Sequence, residues 1–143
     1  MYTKQSTKAA AAYSNTSLQT DVLEASPHKL ILMLYDGALL SLNLSKVAIE
    51  EKNLKEKIKQ ITKAIDIISL GLKASLDVSL GGELALRLDA LYDYMCARLA
   101  FANATNTVAP IDEVASLLRE LREAWEVIGD TKESSLSKSY EEA

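Results

Sequence analysis

One histidine, one cysteine and five glycines in 143 residues exclude several kinds of chemistry before any pattern is read. A ferritin-like di-iron centre needs Glu-x-x-His twice, and His28 has no second histidine to join it. It also has no fixed acidic partner in sequence and no nucleophile in a recognisable setting, so it reads as a solvent-facing residue at a helix start. The single Cys96, within the helical run YMCARLAFA, cannot form an intramolecular disulfide. It fits a reducing compartment and reads as a small buried hydrophobe. Gly81-Gly82 is followed by Glu83 and lacks the Lys-Ser/Thr of a phosphate loop. The expectation is a non-enzyme with no catalytic residues, no cofactor and no metal.

Long apolar runs are missing as well. The longest uninterrupted one, Leu30 to Tyr35, falls far short of the roughly 18 residues of a membrane span. The opening MYTKQSTKAAAAYSNTS has no apolar core of the kind a signal peptide carries. These features predict a soluble, cytoplasmic protein without membrane insertion. Excess positive charge is also absent, since the net charge is −4. Lys52, Lys55, Lys57, Lys59 and Lys63 make a local basic stretch, but Glu51 and Glu56 interleave with them and no aromatic does. They read as a solvated helix face, and no nucleic-acid partner is expected.

Helical punctuation and periodicity are present throughout. Ser26-Pro27 is an N-cap followed by a proline at the first helical position, and it opens a helix to about Glu51. Asn53 with Glu56 three residues on resembles a capping box. It opens a second helix on Leu54, Ile58, Ile61, Ile65, Ile68, Leu72, Leu76 and Leu80, which Gly81-Gly82 ends. A third runs from about Glu83 to Ala104 on Leu84, Leu88, Leu91, Met95, Leu99 and Ala102. After a loop from Asn103 to Ala109, a fourth starts at Pro110 and reads Ile111, Val114, Leu118, Leu121, Trp125 and Ile128, with Gly129 closing it. Short linkers force neighbouring helices antiparallel, so the fold class is an all-α, antiparallel up-down-up-down four-helix bundle with a flexible or capping N-terminal segment. The expected division is a flexible or capping segment over 1–25, the bundle over 26–129 and a disordered tail over 130–143.

The first helix is more apolar than a bundle requires. One stripe is Ile31, Leu34, Tyr35, Ala38 and Leu42; a second, rotated from it, is Leu30, Met33, Gly37, Leu40, Leu44 and Val47. A bundle needs one such stripe, so the surplus awaits another helix, the chain's own end, or a partner. The partner-binding candidates are Leu30, Met33, Tyr35, Leu40 and Leu44 on the first helix and Tyr92 and Tyr94 on the third, with Tyr13 as a cover for the groove. The alternative function is a self-associating structural bundle using the same face.

The run ASPHKLILMLYDG at 25–37 resembles the first-helix signature of the FliS family of flagellar export chaperones. SLDVSLGGELALRLDALYDYM at 75–95, the pair AN at 102–103 and LLRELREAW at 117–125 agree with it in order. The resemblance implies a chaperone that works without ATP. It would hold the disordered C-terminal segment of flagellin, prevent premature polymerisation, and assist delivery as a chaperone–client complex to an export gate component of the flagellar type III apparatus.

Overall fold

The computed structural model describes residues 25–142, with side chains described as far as Gly129. Helix α1 spans Pro27–Glu50. Its N-cap is made as predicted, because Ser26 Oγ accepts from the Lys29 N–H at 3.2 Å and Pro27 follows it. The chain turns at Lys52, whose φ of 58° is left-handed, and Asn53 Oδ1 then accepts from the Glu56 N–H at 3.2 Å. Only half of the expected capping box forms: the Glu56 carboxylate instead accepts from Gln60 Nε2 at 2.8 Å.

Helix α2 is α-helical over Leu54–Asp66 and widens into a π-helical stretch over Ile67–Lys73. The chain leaves that helix here, before the glycine pair at which the sequence puts its end. Helix α3 spans Val78–Thr105. Asp77 caps it, accepting from the Leu80 N–H at 3.2 Å and the Ser79 hydroxyl at 2.6 Å, and these bonds hold the Asp77 carboxyl below its usual range. Gly82, with φ 57° and ψ −139°, kinks α3 after its first turn. A Cβ at Gly82 would meet nothing within 4 Å, so the backbone conformation rather than space calls for glycine there.

Asn106, at φ 56°, ends α3 in the left-handed conformation, and helix α4 spans Ala109–Glu142. The stop expected at Gly129 is not observed, since the backbone stays helical to Glu142. Gly129 has a different role. A Cβ on it would lie 2.0 Å from His28 Nε2, so this glycine admits the imidazole against α4.

Cross-links fix the order of the helices. α1 and α4 run antiparallel, joined by Lys46–Asp112 at 2.6 Å, Arg122–Asp36, and the His28–Trp125 pair. α2 and α3 run antiparallel, joined by Lys57 to Asn103, Cys96 to Ile65, and Lys73 to Asp93. The core takes Ile31, Leu34, Tyr35, Ala38 and Leu42 from α1, Ile61, Ile68 and Leu72 from α2, Tyr92, Met95 and Leu99 from α3, and Ile111, Val114 and Leu118 from α4. This is the all-α bundle read from the sequence. At about 1.5 Å per residue, α1 alone is about 36 Å long.

Two polar side chains fall inside, against expectation. Lys57 is only 4% exposed, not part of a solvated lysine face, and its ammonium donates to the Asn103 carbonyl at 2.8 Å and to Asn106 Oδ1. It thereby ties α2 to the left-handed turn that ends α3. His28 is half-buried, not solvent-facing: its ring stacks on Trp125 with centroids 5.1 Å apart. His28 Nε2 donates to the Trp125 carbonyl at 2.7 Å, and Trp125 Nε1 donates to the His28 carbonyl at 3.0 Å.

Candidate helix-docking face

Helix α1 carries its two apolar stripes to different environments. Every residue of the inner stripe is buried. Of the outer stripe, Leu30 and Gly37 are buried and Met33 is half-buried, whereas Leu40, Leu44 and Val47 stay 59%, 38% and 41% exposed. The three recur at spacings of four and three, which stacks them as one row near the middle and C-terminal half of α1.

The seven predicted partner-binding residues therefore separate. Leu40 and Leu44 are on the surface together, with Met33 at the near end of the same row. Leu30, Tyr35 and Tyr92 lie in the core, where the Tyr35 and Tyr92 hydroxyls share a hydrogen bond of 2.7 Å. Their phenol oxygens are buried in a low-dielectric interior, where an unpaired hydroxyl costs most. Tyr94 is exposed on the α3/α4 seam, where its hydroxyl donates to Glu113 at 2.9 Å. That bond raises the Tyr94 phenol and, with Arg98 Nε at 2.9 Å, holds the Glu113 carboxyl low. Tyr13, the expected cover, lies outside the described residues.

The sequence pattern understated other exposed apolar positions. Leu54 and Ile58, read as the start of the core stripe of α2, are 56% and 50% exposed. Leu80 and Leu84, beside the Gly82 kink, and Phe101 on α3 are exposed as well. A signal was available for Ile58, which charged residues flank on both sides in KEKIKQ. Burial raises the half-buried Cys96 thiol, which makes it a poor nucleophile. Among the described residues no three His, Cys, Asp or Glu side chains converge as a metal-binding group. Helix α1 is long and apolar enough by composition to cross a membrane, with mean hydropathy 1.4 over its best window, but half of that window is buried inside the bundle.

The structure thus defines an all-α four-helix bundle whose first helix carries an apolar row that stays exposed among the described residues. Known proteins resemble the chain in sequence and in fold. The profile described as "Flagellar protein FliS" matches residues 9–132. The flagellar secretion chaperone FliS of Salmonella typhimurium is 44% identical over 128 residues, covering 90% of this chain and 93% of that protein. FliSB of Pseudomonas aeruginosa is 44% identical over 121 residues, and FliS of Escherichia coli 39% over 132. A crystal structure of a bacterial flagellar chaperone superposes with a TM-score of 0.69 over 87% of this chain and 97% of that one, at 19% identity, which supports the shared fold. The chain belongs to the FliS family of flagellar secretion chaperones.

Proposed function

We propose that the chain is a cytoplasmic, non-enzymatic export chaperone that binds the disordered C-terminal segment of flagellin, blocks premature polymerisation and assists delivery to the flagellar type III export apparatus. The observation that carries this reading is the row Leu40, Leu44 and Val47, large apolar side chains left in water on the helix with the most apolar surface to cover. A segment that becomes helical only against a neighbour can use such a row as the neighbour, at the cost of its own ordering.

Magnitudes shape the proposal. Full burial of an aliphatic side chain is worth about 1.5–3 kcal/mol, and these three are already about half covered, so the row offers roughly 2–4 kcal/mol gross. Micromolar affinity needs about 8 kcal/mol net. The row is therefore an anchor, and an extended client must add contacts elsewhere, with Leu54 and Ile58 available. Tyr13 and its segment are assigned as a removable cover: deletion of residues 1–20 is expected to tighten client binding or expose dye-binding surface.

Calorimetric titration with a flagellin C-terminal peptide tests the function, with saturable heat expected from the peptide and none from a scrambled version. Equal heats would remove the assignment. Sedimentation at rising concentration addresses the self-associating alternative, for which mass would increase and Leu44→Asp would abolish the increase.

A further inference from the structure

The apolar row on α1 is bordered by cations that form no ion pair among the described residues. Ion pairs among the described residues engage Lys46, Lys73, Arg87, Arg98 and Arg122. Lys55, Lys59 and Lys63 of α2 take part in none of these pairs. Residues 52–63 hold five lysines against one glutamate, in a chain whose net charge is −4. Of the five, Lys57 is turned inward to Asn103, Lys52, Lys55 and Lys59 are exposed, and Lys63 is half-buried.

Helix geometry sets these lysines beside the row. Counting outward from Lys52 in the turn, Leu44 and Gln60 are each eight residues away and Leu40 and Ala64 each twelve, so Lys59 and Lys63 are level with the two leucines. On α2, Lys57 and Ile65 touch α3, while Ile61 and Ala64 are in the core. At about 100° per residue, the edge away from α3 and toward α1 carries Gln60 and Ile67, with Lys63 and then Lys59 outward of it. On α1, Asp36 and Lys46 point to α4, and Leu40 and Leu44 lie on the α2 side of Asp36. The other border of the row carries Asp36, Asn43 and Glu50, so the positive edge is one-sided.

We infer that this face selects a client helix whose apolar stripe is edged on one side by carboxylates, docked so that they meet Lys59 and Lys63. The inference rests on the reading of this face as the client site and adds the polarity of what it accepts. Apolar burial supplies the anchoring. The lysine edge fixes the direction and rotation of the helix, and speeds encounter in a salt-dependent way.

The test uses the full chain and three probes: a flagellin C-terminal peptide, a designed amphipathic peptide with Glu along one edge of its Leu stripe, and the same peptide with Lys there. The wild type is expected to bind the Glu-edged peptide about tenfold more tightly than the Lys-edged one, with the gap closing as salt is raised. In Lys59→Glu/Lys63→Glu the preference inverts, and in Lys59→Gln/Lys63→Gln it disappears; the exposed Arg119→Glu on α4 leaves it intact. Circular dichroism confirms that each variant folds. Equal binding of the two designed peptides by the wild type, or a reversal variant unchanged within twofold, would overturn the inference. So would loss of phosphatidylglycerol-vesicle binding in the reversal variant with peptide binding unchanged, because the lysines would then serve a membrane surface. Flagellin peptide binding that is indifferent to the reversal overturns the inference and leaves the proposed function standing. The preference without any flagellin binding does the opposite.

Discussion

The two faces of α1 are nearly equal in apolar content and opposite in fate. Leu34 is fully buried in the core, while Leu40, six residues on, is more exposed than covered. The difference cannot come from side-chain chemistry, since both are leucine. It comes from where α2 and α4 lie: they close over the inner stripe and leave the outer row without a cover among the described residues. Apolar content therefore reports how much surface a helix must hide, and only the placement of its neighbours tells which part stays available for a client.

The strongest way to break this comparison is a matched pair of truncations. Leu34→Ala is expected to cost about 3 kcal/mol of stability, because a fully buried leucine leaves a cavity when cut back. Leu40→Ala is expected to change stability by about 0.5 kcal/mol or less, as exposed positions do, and to weaken flagellin-peptide binding instead. Denaturant titration of both variants is the measurement. Comparable losses would mean that the outer row is also structural.

Next in size is the closed end of the inner face. A Cβ at Gly129 would overlap the His28 imidazole, so Gly129→Ala must either push the ring off Trp125 or spread α1 from α4. Overpacking of this kind costs about 1–3 kcal/mol, which over most of that range exceeds the roughly 1 kcal/mol that alanine gains over glycine in a helix. A net loss of stability and a change in Trp125 fluorescence are expected, and Gly129→Ala/His28→Ala should recover part of the loss. A stabilised single variant would show that the contact carries no energy.

How much of this could be read from the chain follows from what a periodicity can encode. The inner stripe of α1 was legible because five residues at helical spacing admit one face. The surplus row was legible for the same reason. Its membership is not: Leu30, Tyr35 and Tyr92, candidates for partner binding, are buried in the core, because periodicity cannot tell how far around the helix a neighbour reaches. Leu54 and Ile58 failed in the other direction, since a stripe continues in sequence past the point where the packed neighbour ends. The cap at Asp77 stands beside the more conspicuous Gly81-Gly82, and Asp is a favoured residue at a helix N-cap. Glycine commonly ends helices, which is why Gly129 looks like a stop, but here it makes room for a ring contributed by a residue 101 positions earlier.

A smaller effect concerns the buried pair Tyr35 and Tyr92. Loss of their shared hydrogen bond in Tyr35→Phe is expected to cost about 1 kcal/mol. Because the bond disappears once, Tyr35→Phe/Tyr92→Phe should cost less than the sum of the single changes. The coupling in the double-mutant cycle measures the link. Strict additivity would mean that the hydroxyls act independently and that their pairing does not hold α1 to α3.

The smallest expected effect lies on the α3/α4 seam, where a polar link stands in for burial and so responds to pH as the leucine row of α1 does not. Glu113 is held below the usual carboxylate range, first by the Tyr94 hydroxyl and then by Arg98. A folded-state pKa below the unfolded value contributes stability that is present above the ordinary carboxylate pKa and is lost as pH falls through the lowered one. Glu113→Gln should therefore lower Tm slightly at neutral pH and leave it unchanged in acid, so that the melting temperatures of the variant and the wild type converge as the carboxylate is protonated. The difference must be small, because the groups are solvent-exposed and salt screens them. A gap that persisted in acid would show that Glu113 holds the seam by shape rather than by charge. In that case Tyr94, the one aromatic site candidate exposed among the described residues, would be free of a pH-dependent tether when a client approaches.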